Sequence, residues 1–142
     1  MIETLQAIDK AHTEQDLKSI SANLNQVKRL LSVHCTTSFE LEEVFFSTKT
    51  HLIVLRFLDF KFNLGDENII RQALECISNL LLSSKEALDL MLKLGFLPIL
   101  YNYLDISKLN NLKCIYWGLA NMLGESLCYR PAMIKHGFID FI

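Results

Sequence analysis

Residues that break regular structure are scarce: the 142 residues include only 5 glycines and 2 prolines. Linkers, collagen-like fibres and disordered tails carry far more of both. Neither charge is in excess, with 14 Lys+Arg against 16 Asp+Glu and a net charge of −2. A protein that grips nucleic acid through its phosphates carries a basic surplus, so no nucleic-acid partner is expected. The longest apolar stretch, Leu92 to Leu104, is broken by Gly95, Pro98 and Asn102 and falls short of the roughly 18 residues of a membrane span. The opening MIETLQAIDK has acids where a targeting peptide has bases, so neither a leader nor a membrane partner is expected.

Chemistry-bearing spacings are missing too. Cys35, Cys76, Cys114 and Cys128 form no CxxC pair, and His12, His34, His51 and His136 form no HxxxH or HExxH. No metal site and no cofactor are expected, and the thiols read as small buried apolar residues of a reducing compartment. His34 and Cys35, neighbours at a helix end, point in different directions and make no nucleophile pair. Glu42-Glu43 fits the acidic start of a short helix. There is no GxSxG elbow and no glycine-rich phosphate loop, so an enzyme is not expected.

Hydrophobic residues make up 51 % of the chain and charged residues 21 %, enough for one domain with a substantial core. A mean hydropathy of +0.24 is high for a soluble domain and points to apolar surface intended for a neighbour. A shift of 42 residues superimposes 70–100 on 112–142 without a gap: Asn79 falls on Asn121, Leu81 on Leu123, Ser84 on Ser126, Met91 on Met133, and Gly95-Phe96 on Gly137-Phe138. That period, with helical signals only, matches the armadillo/HEAT class of α-solenoid.

Helical spacing is explicit in two long segments. Ile69, Ile70, Ala73, Leu74, Ile77, Leu80 and Leu81 recur at steps of three and four, as do Leu112, Ile115, Tyr116, Leu119, Met122 and Leu123. Ser83 with Glu86, and Thr37 with Glu40, fit capping boxes. Gly95 and Gly137 fit helix stops, and Pro98 and Pro131 fit first turns. LIVLRFLDF could alternate as a strand, but its register matches FLPILYNYL and it reads as a helix. Helices are expected over about 3–11, 14–33, 39–47, 51–60, 67–82, 84–94, 97–104, 108–123 and 130–136.

The segment CIYWGLANMLGES, 114–126, resembles the long third helix of an armadillo unit in importin-α, whose pattern is Trp-x-x-x-Asn followed by Gly-acid-Ser/Thr. LNQVKRLLS resembles the helix that opens that family's array, and ELEEVFFS with LIVLRFLDF resembles the short pair after it. The resemblance covers about Leu17 to Ile142. It implies an all-α, right-handed solenoid of about three armadillo units, the last one incomplete. Residues 1–16 would form an N-terminal helix or cap, and the units would span about 17–34, 37–83, 84–124 and 126–142. A unit that stops at its second helix leaves an apolar face bare. Either the chain is a piece of a longer array or a further protein covers its C-terminal end.

The resemblance also implies a function: a non-enzymatic adaptor, working in cytoplasm and nucleus, that holds a lysine-rich nuclear-localisation peptide in a concave groove for import. Asn79 and Asn121 would clamp the peptide backbone, Trp117 would wall a lysine stem, and Glu125 would pair with an ammonium. An asparagine amide can both donate to and accept from a backbone, and an indole face attracts cations at about 0.5–2 kcal/mol. The residues support part of this by themselves, since Lys113, Trp117 and Asn121 lie four apart on the face opposite Leu112, Ile115, Tyr116 and Leu119, and Arg71, Glu75 and Asn79 form the matching stripe.

Three features depart from the pattern. Glu75 stands where the family has a tryptophan, Arg71 and Lys113 add positive charge to the stripe, and Lys10 is the only Lys or Arg in the first 16 residues, so no Arg/Lys-rich autoinhibitory segment is expected ahead of the array. The alternative function is a structural armadillo subunit of a larger assembly. Plainer roles exist for single residues as well: packing of Trp117 against a following unit, turn capping by the asparagines, and a helix-dipole contact for Glu125.

Overall fold

In the computed structural model, which describes residues 17–34, 46–59, 63, 65–82, 84–105 and 107–138, apolar spacing resolves into seven α-helices. The first, α1 (Leu17–His34), turns Ile20, Leu24, Val27 and Leu31 to one buried side. The second, α2 (Thr50–Arg56), is entered through Lys49 at φ 58°. The long α3 (Glu67–Leu80) starts on Asp66, whose carboxylate accepts from the amides of Asn68 at 2.9 Å and Ile69 at 3.0 Å, so two of the orphan amides of its first turn are satisfied. Two short helices follow, α4 (Lys85–Lys93) and α5 (Phe96–Tyr101), and then the long α6 (Leu109–Glu125). A single 3-10 turn (Leu127–Tyr129) leads into α7 (Arg130–Lys135). No strand occurs among the described residues.

The three long helices are neighbours in order. Helix α3 packs against α1 and against α6, while α2 also lies on α3 and α4 packs on α5. All seven apolar residues expected to face inward on α3 are buried, and so are Gln72, Cys76 and Ser78. A helix with long neighbours on two flanks has to be buried nearly all round, which explains why polar and small residues join its core. Helix α6 buries Ile115, Leu119 and Met122 of the expected set, whereas Leu112, Tyr116 and Leu123 are partly exposed.

The repeat is visible in geometry. Gly95 at φ 73° and Gly137 at φ 80° both turn left-handed after a short helix, a region that glycine enters without penalty. Phe96 and Phe138 behind them are both fully buried, as are Met91 and Met133. Ser84 and Ser126 both cap, with their hydroxyls accepting from Ala87 N and Cys128 N. Below this layer, the Tyr103 hydroxyl donates to Leu58 O and accepts from Asn63 Nδ2 at 3.1 Å, tying the turn after α5 to the turn after α2.

Several expectations need adjustment. The α4 cap is Ser84, one residue after Ser83. Residues 51–60 are helical only to Arg56, and α5 stops at Tyr101 instead of running to Leu104. Cys76 is buried and Cys114 partly so, but Cys128 is exposed. The helix over 3–11, most of that over 39–47, the Thr37–Glu40 box, Ser83, Cys35 and the final residues 139–142 lie outside the described residues.

Candidate functional site: a groove between the second and third long helices

Small residues bring α3 and α6 close together. A Cβ on Gly118 would lie 2.9 Å from Leu81 Cδ1 and 3.0 Å from Ser78 Cα, so the glycine permits a backbone approach that no other residue would. On the same line of contact the Ser78 hydroxyl bonds to Leu74 O at 2.9 Å and meets Cys114 O of α6. Where the helices diverge above this floor, they leave a groove of about 620 Å³, bordered by Lys28 of α1, Glu75 and Asn79 of α3, and Lys113, Tyr116 and Trp117 of α6. A second hollow of about 600 Å³ adjoins it at Lys113 and is edged by Arg71, Glu67 and Lys108.

Trp117 dominates the apolar side. Its side chain is 61 % exposed, far more than is usual for tryptophan. Glu75, at the equivalent place on α3, is instead enclosed by cations: its Oε2 is 2.9 Å from Lys28 Nζ and its Oε1 is 2.9 Å from Arg71 Nη1. Arg71 also donates through Nη2 to Asn68 Oδ1 at 2.7 Å. Lys108 pairs with Glu67. Lys113 makes no ion pair among the described residues. Burial, followed by the nearby Glu75 carboxylate, pushes the Cys114 thiol up, and burial pushes Cys76 up much further. Both thiols are thus held toward the neutral form.

Of the residues singled out from sequence, the groove brings Glu75, Asn79, Lys113 and Trp117 together, with Arg71 in the adjoining hollow. Asn121 and Glu125 do not border it. Asn121 Nδ2 is out of solvent with no hydrogen-bond partner, leaving both of its N–H donors unused, and Glu125 is an exposed residue at the end of α6. Tyr116, expected on the opposite face, borders the groove beside Trp117. Lys28 and Ser78 were not anticipated. The pairing of α1 with α3 has its own offset, 47 residues for both Lys28–Glu75 and Ser21–Asn68, so the period of 42 could not place Lys28.

Among the described residues no group of three His, Cys, Asp or Glu side chains could hold a metal ion, and no helix is long and apolar enough to cross a membrane. Comparison of the chain with protein-family models, curated proteins and solved structures finds no match.

Proposed function

We propose that the chain is a non-enzymatic protein-binding module of the armadillo type, which holds an extended segment of another protein along the α3/α6 face. The observation that carries this reading is the exposed Trp117 at the edge of a groove that also contains the Asn79 amide. An aromatic wall beside an amide suits a peptide, whose side chains need apolar contact and whose backbone needs both donors and acceptors. The packing of α1 on α3 and of α3 on α6, with the paired turns at Gly95 and Gly137, supports a solenoid of stacked units.

The importin-α resemblance makes the bound segment a lysine-rich localisation signal and the task nuclear import, in cytoplasm and nucleus. Trp117 and Asn79 agree with that form of the reading, whereas Lys28, Arg71 and Lys113 repel lysines. Titration of the full chain with labelled extended peptides, one lysine-rich and one neutral, tests the reading at low and physiological salt. Binding that is lost in Trp117→Ala, with the fold retained by circular dichroism, supports a peptide groove. Absence of binding by any peptide at low salt would overturn it.

A second reading, a structural subunit of a larger assembly, draws on a different surface. Leu127 is 75 % exposed and Ile134 is 51 % exposed, so large apolar side chains on the 3-10 turn and on α7 are open to a covering neighbour. Concentration-dependent association on sizing chromatography, abolished by Leu127→Glu with Ile134→Glu, would favour it over the groove.

A further inference from the structure

The sign of the groove's charge opposes the sign of the chain's. Four cations, Lys28, Arg71, Lys108 and Lys113, border the two adjoining hollows, against two carboxylates, Glu67 and Glu75, in a chain whose net charge is −2. Both carboxylates are already engaged: Glu75 by Lys28 and Arg71, and Glu67 by Lys108. Neither has a free ammonium to seek. Lys113, by contrast, is exposed at the junction of the two hollows and has no acid partner among the described residues.

We propose that the occupant of this groove is an acidic segment of a partner protein, extended, with carboxylates set against Lys113 and Arg71 and an apolar or aromatic side chain laid on Trp117. The proposal rests on the reading of the α3/α6 face as a peptide groove and adds the chemistry of what it holds. A lysine-rich segment would bring its ammonium groups against Lys28, Arg71 and Lys113 where both carboxylates are already paired with the protein's own cations, and like charges brought together at an interface reject a partner. An acidic segment meets the unpaired Lys113 first. It can then share Arg71 with Glu75, because a guanidinium has five donors and only two are engaged here. The indole wall serves apolar side chains of such a segment as readily as it serves lysine stems.

The test uses the full chain and three labelled peptides of equal length: one rich in Asp and Glu with a single leucine, one rich in Lys with the same leucine, and one of Ser and Gly around it. Fluorescence anisotropy is expected to rank them acidic, neutral, basic, with the acidic affinity falling as salt rises. Lys113→Glu should weaken the acidic peptide by about tenfold or more and spare the neutral one. Glu75→Gln should strengthen the acidic peptide, since it releases Lys28 and Arg71. Tighter Trp117-dependent binding of the lysine-rich peptide would overturn the acidic occupant while leaving the groove in place. Failure of all three peptides would overturn both.

Discussion

Glu75 on α3 and Trp117 on α6 occupy the same turn of two long helices 42 residues apart, yet Glu75 is partly buried within an ion-pair cluster and Trp117 is 61 % exposed. The helices differ less in pattern than in company. Helix α3 has long helices on two flanks, so most of its circumference is buried, and its Glu75 is fixed by Lys28 of α1 and Arg71 of α3 itself. Helix α6 has only α3 as a long neighbour among the described residues, so its equivalent turn is open for contact with something else. A helix flanked on two sides is held by its neighbours, and a helix with one long neighbour keeps more of its face exposed.

Substitutions at matched positions test that contrast. The largest effect is expected at Leu81, which is fully buried, against its equivalent Leu123, which is not. Leu81→Ala should cost about 2–5 kcal/mol in urea unfolding, as buried leucines do. Leu123→Ala should cost clearly less, and equal costs would erase the difference between the helices. Next comes Gly118→Ala. Its new methyl would meet the Ser78 backbone at 3.0 Å, so a loss of about 1–3 kcal/mol is expected from overpacking. A crystal structure of that variant should show α3 and α6 moved apart.

Tyr103→Phe is expected to cost about 1–2 kcal/mol, because it strands Asn63 Nδ2 and Leu58 O in a buried turn. Its pH signature is specific. Burial holds the Tyr103 hydroxyl above its ordinary value of 10.0, opposed by the Asn63 hydrogen bond and reinforced by Asp59 and Glu67. The folded state thus favours the neutral phenol. The associated stability is complete below pH 10 and drains away as pH rises through the raised value. Wild type should lose stability in that alkaline range and the phenylalanine variant should lose less.

A smaller gain is expected at Lys49, a non-glycine residue at φ 58° placed before α2 as Gly95 is before α5. Lys49→Gly should stabilise by about 0.5–1 kcal/mol, the relief of a left-handed backbone at a residue with a Cβ. The smallest change in stability belongs to Trp117→Ala, about 0.5 kcal/mol or less for so exposed a side chain. If that variant instead unfolds readily, Trp117 is a packing residue and the contrast with Glu75 disappears.

The helices were legible because their inward residues recur at helical steps, and the turns at Gly95 and Gly137 because glycine alone enters a left-handed bend freely. The pairing of Glu75 with Lys28 was not legible, since the partner lies across a helix pair whose offset is 47 residues rather than 42. Nor was the groove floor. Ser78 and Gly118 are small residues whose importance lies in the approach they permit, and nothing in their local pattern marks it. Asn121 shares the stripe of Trp117 in sequence but sinks one amide nitrogen out of solvent, a distinction of side-chain direction that spacing cannot carry.

Trp117 is the single tryptophan in the chain, so its fluorescence reports on the proposed groove alone. The most direct test is to follow that emission while titrating the full chain with the acidic, leucine-bearing peptide. A saturable blue shift at low salt, reversed by added salt and absent in Lys113→Glu, is the result expected of an indole covered by a bound acidic segment. Saturable binding of the peptide by anisotropy, with Trp117 emission unmoved throughout, would place the working surface elsewhere and contradict the account.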